Sequence, residues 1–315
     1  GVFLTPNHVS WADHILIMKD VNGQVQENRV SSHKFFAPNG QIMAAAGKEK
    51  YFRFPFFGFI LRQGKQVPIT NIKYEFEKWY PGAPQEQKDE ILNGLTPKQR
   101  DKWNKEGRKL SQLFYDTYEK VIEPQPDHAV NLLTRDSLRH TSENIGLSIK
   151  DGKLILVYLE GTRSKTGKMQ PIKTGSTQII LEHQGFSIPT AVTGTDKLWP
   201  KQNGIYYMWP FIRDYLITKK VPPVKLRVKY GAPIPHEEIL AECKKEFEEK
   251  DKQAHIPQLE ELVDLIKEKK FIAFSGEYER FQPVFSFTAK YLMERVNDML
   301  PSEYKTKQVE VKYPK

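Results

Sequence analysis

The sequence of 315 residues contains a single cysteine, Cys243, and this scarcity excludes several kinds of protein. One thiol cannot form an internal disulfide or build a thiolate cluster around a metal. Apart from His8 and His14, the histidines are scattered without the spacing typical of metal ligands, so we predict no metal site. Cys243 itself lies in a strongly charged helical pattern, with no neighbouring histidine to activate it, and we predict no chemical role for it.

Long apolar runs and an excess of acidic residues are also missing. The longest apolar runs, "FPFFGFIL" and "LILVYL", are well short of the roughly 18 residues that predict a membrane-spanning helix. Lysine and arginine number 48 against 39 aspartates and glutamates, which gives a formal net charge of +9. A basic protein is attracted to anionic membranes, nucleic acids and phosphorylated ligands, and the charge alone does not choose among them.

What the sequence does contain is an alternation of strand and helix patterns. Hydrophobic residues make up 39% of the chain, which is enough for a packed core. The run "KLILVYLE", residues 153–160, predicts a buried strand that ends near Glu160. Further strands are predicted in "GVFLTP", "QIMAAAGKEK", "GKQVPIT", "FSIPTAVTG" and "VKLRVKYG". Because helical patterns lie between them, we predict an α/β fold with a mixed, largely parallel sheet flanked by helices.

Two regions depart from this alternation. Residues 72–135 are polar and amphipathic and predict a helical insertion. From residue 236 onward the patterns are helical, and an apolar stripe that includes Phe285 and Leu292 is typical of a helix packed on a sheet. We therefore predict an α/β core over residues 1–235, interrupted by the insertion, and a helical C-terminal extension over residues 236–315 packed on that core.

The stretch "NHVSWADH", residues 7–14, allows two interpretations. Ser10 and Asp13 have the spacing of a capping box and could serve only to begin a helix. Alternatively, Asp13 reaches back from the first helical turn to the imidazole of His8, so that His8 acts as a general base towards a hydroxyl group. The two interpretations are compatible.

The stretch "LVYLEGTRS", residues 156–164, suggests a binding site at the end of a strand. Ligands bind at the carboxyl ends of strands in open α/β sheets, and Glu160 is predicted there. Arg163 has a planar donor group suited to phosphate, while Gly161 allows a close approach of the backbone. The alternative is that Glu160 and Arg163 only pair with each other at the surface.

A third stretch, "FPFFGFILRQGKQVPIT", combines aromatic residues with two cations, Arg62 and Lys65. It could form an apolar trough with a basic rim. It could equally be part of a packed core that carries two solvated cations.

In this order along the chain, "NHVSWADH", "FPFFGFILRQGKQVPI", "LEGTRS" and "IPTAVTGTDKLWP" resemble the four motif blocks of the glycerolipid acyltransferases, which include lysophosphatidic acid acyltransferases. The resemblance implies an acyltransferase α/β fold with His8 and Asp13 as the catalytic dyad. His8 would deprotonate the acceptor hydroxyl, whose oxygen would attack the acyl thioester without a covalent acyl-enzyme. Substrate binding is implied for Arg62, Lys65, Glu160, Gly161, Thr162, Arg163 and Pro189.

The implied reaction transfers a fatty acyl group from acyl-CoA or acyl carrier protein to a lysophospholipid hydroxyl. With 1-acylglycerol-3-phosphate as acceptor, the product would be phosphatidic acid. The implied partners are the thioester donor, which is a co-substrate rather than a cofactor, the lysophospholipid and an anionic membrane surface, whereas no nucleic acid is expected. The implied location is the cytoplasmic face of a membrane, and we expect an anchoring segment ahead of the first block, because family members usually carry one.

One departure from the family pattern leaves the acceptor open. Many members carry an arginine three residues after the proline of the second block, but here Pro68 leads to Asn71, and Lys73 is the nearest cation. Glycerol-3-phosphate or another lysolipid, such as a lysocardiolipin, is therefore an alternative acceptor.

A different class of protein is also possible, because basic and aromatic residues interleave between residues 48 and 65. This pattern would suit a non-catalytic protein that binds membranes or nucleic acid. Such a scaffold has no need to keep His8, Asp13, Glu160 and Arg163 together, which favours the enzyme.

Overall fold

The computed structural model describes residues 1–10, 13, 16–17, 20–21, 43–48, 67–69, 72–93, 95–98, 100–101, 113, 129–161, 163–164, 166–198, 224–268 and 278–312. The chain divides into two compact units. The first consists of Gly1–Ala45, Leu147–Ile272 and Glu279–Tyr313. The second consists of Ala46–Gly146, Ala273–Tyr278 and Pro314–Lys315.

Strands and helices alternate along the described residues. The strands are β1 (Val2–Pro6), β2 (Met43–Lys48), β3 (Val67–Ile69), β4 (Leu154–Leu156), β5 (Ile172–Lys173), β6 (Phe186–Thr193), β7 (Arg227–Tyr230), β8 (Ile234–Pro235) and β9 (Val311–Lys312). The helices are α1 (Ile72–Gly82), α2 (Gln85–Asn93), α3 (Ala129–Lys150), α4 (Gly175–Glu182), α5 (Thr195–Leu198), α6 (His236–Glu249), α7 (Ile256–Lys267) and α8 (Tyr278–Met299). A short 3-10 turn, Gln253–His255, precedes α7, and the described residues between 13 and 21 are helical.

The first unit contains a mixed, largely parallel sheet. Its strands follow the order β2, β4, β1, β6, β7, with residues 43–45 of β2 paired to β4. The pairs of β1 with β4 and with β6 are parallel, whereas β7 and β8 run antiparallel to β6. The predicted α/β fold, with a mixed, largely parallel sheet flanked by helices, is confirmed.

Strand β1 lies at the centre of this sheet and has the apolar sequence that such a position needs. A strand with neighbours on both sides and covered faces is buried all round. In β1, Phe3 and Leu4 are almost fully buried, and Leu4 packs in a core cluster with Leu156 and Val192 of the two adjacent strands. Because β1, β4 and β6 are parallel, their carboxyl ends lie at one edge of the sheet.

Strand β4 is shorter than the sequence predicts. It ends at Leu156, so the expectation that Glu160 lies at the end of this strand is wrong: Glu160 lies in a turn. The register explains the difference. Leu4 is opposite Leu156 and accepts the N–H of Val157 at 2.9 Å, so the next donor from β1 would be Pro6, which has no N–H group.

The long helix α8 belongs to the first unit from Glu279 onward and presents the predicted apolar stripe to the interior. The stripe residues Phe285, Ala289, Leu292 and Val296 are fully buried. Burial of a side chain the size of Phe, Leu or Val contributes about 1.5–3 kcal/mol.

The second unit is mainly helical where it is described. Residues 46–48 of β2 pair in parallel with β3, and α1 and α2 lie within the predicted insertion at 72–135. Its core is formed by Phe76, Tyr80, Ile91, Leu95 and Leu113.

The predicted boundaries at residues 72, 135 and 235 stay predictions. Residues 236–268, which begin the predicted C-terminal extension, belong to the same compact unit as the sheet. Among the helices of the described residues, none combines the length and the apolar character needed to cross a membrane.

Candidate active site

His8 and Asp13 lie together at the carboxyl edge of the sheet. His8 follows the end of β1, and its Nδ1 atom lies 2.9 Å from Oδ2 of Asp13. The Asp13 side chain is fully buried, whereas 16% of the His8 side chain is exposed. The structure therefore places together the two residues that the sequence predicts as a dyad.

The buried Asp13 carboxylate is surrounded by hydrogen-bond donors. Its Oδ2 atom also accepts the main-chain N–H groups of Val9 and Ser10, each at 2.8 Å. Its Oδ1 atom accepts the hydroxyl of Thr195. A buried carboxyl group is costly unless it is hydrogen-bonded, and these donors satisfy both oxygens of Asp13.

The first helical turn shows why the two interpretations of "NHVSWADH" are geometrically compatible, while the role of His8 as a base stays a prediction. The bond from the Ser10 N–H group to Asp13 is the return half of the predicted capping box. The same carboxylate oxygen accepts from His8. The carboxylate that closes the capping box is therefore also the one that bonds to the imidazole.

The surroundings of Asp13 assign the tautomer of His8. Oδ2 of Asp13 accepts two main-chain N–H groups and is therefore an acceptor towards His8 as well, so Nδ1 of His8 carries the proton and donates it to Asp13. The basic lone pair of the neutral ring is then on Nε2. This arrangement of carboxylate and imidazole suits a general base.

Tyr158 packs against the His8 ring. The two ring centroids are 3.9 Å apart and the rings are inclined by 26°. The Tyr158 hydroxyl is buried and has no hydrogen-bond partner among the residues that the structure describes. Burial, followed by the charges of Asp13 and Glu160, raises the pKa of Tyr158 well above its ordinary value. The phenol is therefore neutral at physiological pH and is unsuited to act as a base.

Glu160 holds the main chain of the site rather than lying at the surface. It is fully buried, and its Oε1 accepts the N–H of His8 at 2.7 Å. Its Oε2 accepts the N–H of Gln170 at 2.6 Å, and the N–H of Ser164 donates to the His8 carbonyl at 2.6 Å. The alternative in which Glu160 only forms a surface pair is wrong. Its predicted role in binding the acceptor stays a prediction.

Comparison with known proteins bears on the chemistry of this site. A family model described as "Acyltransferase" matches residues 1–193, which is more than half of the chain. The chain belongs to the acyltransferase family. The matched span includes His8, Asp13, Glu160 and Pro189.

The chain is also similar to a 1-acyl-sn-glycerol-3-phosphate acyltransferase of Cocos nucifera. The two are 31% identical over 86 residues. This alignment covers 27% of the chain and 23% of the coconut protein, so it spans about a quarter of each.

Gly161 has a conformation that favours glycine. Its φ angle is +62°, and a Cβ atom at this position would lie 3.0 Å from Cδ of Lys173. Lys173 is exposed and places an aliphatic stem beside the turn, which the sequence reasoning missed. Arg163 is half-buried in the same loop. The predicted roles of Gly161 and Arg163 in substrate binding stay predictions.

Pro189 lies within the sheet. It is buried on β6 opposite Thr5 of β1, and its carbonyl accepts the N–H of Gly231 at 2.8 Å. The residue of the fourth block that reaches the dyad is Thr195, at the start of α5. Thr195 is not among the site residues that the sequence predicts. Its only signal was a hydroxyl residue soon after a predicted strand.

Several predicted site residues lie outside the described part of the chain, namely Arg62, Lys65 and Thr162, and so does Asn71 of the second block. Within the described part, no group of three or more His, Cys, Asp and Glu side chains is placed to hold a metal ion.

Proposed function

We propose that this acyltransferase transfers a fatty acyl group from an acyl thioester to a hydroxyl of a lysophospholipid, with His8 as general base. The observation that carries the proposal is the His8–Asp13 pair, 2.9 Å apart, whose carboxylate is held by three further donors. A base positioned in this way contributes about 10²- to 10⁴-fold to a reaction rate.

The proposed reaction needs no covalent intermediate. Nε2 of His8 takes the proton of the acceptor hydroxyl while the acceptor oxygen attacks the thioester carbonyl carbon. The carbon–sulfur bond then breaks, and the leaving thiolate takes the proton from the imidazolium. Asp13 stabilises the imidazolium between these two steps. Cys243 is not used, because it is buried in α6 and burial raises the pKa of its thiol.

The proposed acceptor is 1-acylglycerol-3-phosphate, which would give phosphatidic acid. The name of the similar coconut protein supports this choice, as does Arg163 in the loop beside Glu160, since guanidinium groups suit phosphate. The second candidate is a glycerol-3-phosphate or other lysolipid acyltransferase. Asn71 favours it, because many family members have arginine at that position of the second block.

The proposed place of the reaction is the surface of an anionic membrane. The acceptor is an amphiphile that resides in lipid, and the net charge of +9 would attract the protein to such a surface. Acyl-CoA and acyl carrier protein are the proposed donors, and both are anionic.

The first test combines two site variants with an acceptor panel. We expect His8→Ala to lower kcat by about 10²- to 10⁴-fold, because the base is lost. Asp13→Asn should lower it by a similar factor, because an amide cannot accept all of the donors that surround Asp13. Each variant is assayed with radiolabelled acyl-CoA or acyl carrier protein and with lysophosphatidic acid, glycerol-3-phosphate or lysocardiolipin.

His140→Ala is the matched control, because the His140 side chain on α3 is 60% exposed. It should keep full activity. His8→Ala and His140→Ala should keep the melting temperature within a few degrees, whereas Asp13→Asn should lower it as well, because a buried donor is left without its acceptor. A His8→Ala variant with most of its activity would overturn the dyad. Absence of transfer to every acceptor by the unmodified protein would overturn the substrate class.

A further inference from the structure

Tyr304 lies in the segment that follows helix α8, well beyond the residues that match the family model. It is 4% exposed. Its hydroxyl donates to Oδ1 of Asp196 at 2.8 Å and accepts the N–H of Gly194 at 3.0 Å. Burial, and then the bond to Asp196, raise the pKa of Tyr304 to about 12, so the phenol keeps the proton that it donates.

The two partners of Tyr304 flank the residue that bonds to the proposed dyad. Thr195 lies between Gly194 and Asp196, is fully buried, and donates its hydroxyl to Asp13. The turn has little room to adjust, because Gly194 has a φ angle of +88° and a Cβ atom there would lie 2.3 Å from the Lys225 carbonyl oxygen.

Tyr304 is itself fixed by its own segment. Its N–H donates to the Pro301 carbonyl at 2.9 Å. The side chain of Asn297, on α8, accepts the N–H of Thr306 at 3.0 Å and donates to its carbonyl at 3.2 Å. The phenol therefore meets the 194–196 turn from a segment that helix α8 holds in place.

We propose that Tyr304 is a positioning residue for the His8–Asp13 dyad. Its hydroxyl fixes the Gly194–Asp196 turn, the turn holds the Thr195 hydroxyl on Asp13, and Asp13 orients His8. This inference rests on the proposed function and assigns a role in that chemistry to the C-terminal part of the chain. Tyr304 acts through Thr195 and does not touch the reacting atoms.

The central variant is Tyr304→Phe, which removes the hydroxyl and keeps the ring. We expect kcat to fall about 3- to 10-fold with KM unchanged, because one buried hydrogen bond contributes on this scale and substrate contacts remain. The matched control is Tyr291→Phe, whose hydroxyl on α8 bonds to Glu238 and Arg295. The control should keep the kcat of the unmodified protein.

A double-mutant cycle tests whether Tyr304 acts through Thr195. Thr195→Val should lower kcat at least as much as Tyr304→Phe does. Thr195→Ser keeps a hydroxyl and should have a kcat close to that of the unmodified protein. In the Thr195→Val background, Tyr304→Phe should change kcat less than about twofold, because the link is already broken. If the two substitutions lower kcat by independent factors that multiply in the double variant, the proposal is wrong. It is also wrong if the substitutions change only KM and leave kcat as it was.

A second variant covers the case in which Tyr304→Phe fails to fold. Asp196→Asn keeps an oxygen that can accept the Tyr304 hydroxyl and should retain activity, whereas Asp196→Ala removes this acceptor and should lower kcat about 3- to 10-fold. Equal activities of the two Asp196 variants would contradict the proposal.

A spectroscopic readout separates this proposal from the proposed function. The Nδ1 proton of His8 can be followed by NMR in histidine-labelled protein without substrate. Thr195→Val and Tyr304→Phe should both move this resonance, and Tyr291→Phe should leave it in place. If the resonance moves but no acyl transfer is found, the proposed function fails and the positioning link stands. If transfer depends on His8 but Tyr304→Phe changes neither the resonance nor kcat, the positioning link fails.

Discussion

At the scale of single residues, Glu160 shows how a buried motif carboxylate can hold the main chain of the candidate active site. Both of its oxygens accept main-chain N–H groups, from His8 at 2.7 Å and from Gln170 at 2.6 Å. The first of these bonds fixes the backbone of the proposed base. The second ties the loop that carries Arg163 to the same carboxylate.

Glu160→Gln should therefore destabilise the protein and lower kcat together. An amide has one accepting oxygen, so its NH₂ group would face one of the two N–H donors and leave a buried donor unsatisfied. The expected loss is about 1–3 kcal/mol in the free energy of unfolding, measured by urea denaturation. KM for the acyl acceptor should change little. A large rise in KM at unchanged stability would instead favour direct acceptor binding by Glu160.

The residues near His8 differ in how far the sequence could predict them. Asp13 was predictable, because its contact with His8 spans five positions and follows from the geometry of one helical turn. Thr195 bonds to Asp13 across 182 positions, and no local pattern carries such a contact. Tyr158 was missed for the same reason, since its position against His8 depends on the pairing of β1 with β4.

At the scale of elements, the junction between β1 and β6 positions the start of the site. Pro6 is the last residue of β1 that is paired with β6. The next residue, the fully buried Asn7, extends the contact between the two strands with its side chain. Asn7 Nδ2 donates to the Val192 carbonyl at 2.9 Å, and Oδ1 accepts the Val192 N–H at 2.7 Å. Together with the main-chain bond from the Asn7 N–H to the Thr190 carbonyl at 3.4 Å, these two side-chain bonds hold the residue that precedes His8 to the neighbouring strand.

Asn7→Ala should remove both side-chain hydrogen bonds between Asn7 and Val192. It leaves the Val192 N–H and carbonyl without these partners in a buried position, at an expected cost of about 1–3 kcal/mol per unsatisfied group. We expect a lower urea midpoint at an unchanged m-value, and a lower kcat because His8 is less well positioned. Unchanged kcat in a destabilised variant would show that the junction supports the fold alone.

The pattern of strands was predictable from short apolar runs between turns, but the ends of the strands were not. The end of β4 depends on Pro6 of β1, which is distant in sequence and adjacent in space. This affected the prediction of the site, because Glu160 was predicted at the end of a strand and lies in a turn, where it is buried.

At the scale of the whole molecule, the sequence predicts a boundary at residue 235, whereas the compact unit that contains the sheet also includes residues 236–268. Strand β8 pairs with β6 and leads directly into α6. If residues 236–268 unfold together with the sheet, both should be lost in one cooperative transition. If these residues form an independent extension, they should unfold before the sheet does.

Cys243 can distinguish these two cases, because it is the single thiol in the chain and lies fully buried in α6. Burial also raises the pKa of its thiol, and the thiolate is the reactive form. Alkylation in native buffer should therefore be at least about a thousandfold slower than in unfolding urea, as expected if it requires global unfolding.

As the urea concentration is raised, the onset of alkylation should coincide with the loss of acyl transfer. Cys243→Ala should keep full activity, which shows that the probe itself is not needed for the reaction. Alkylation that precedes the loss of activity would support the predicted boundary at residue 235.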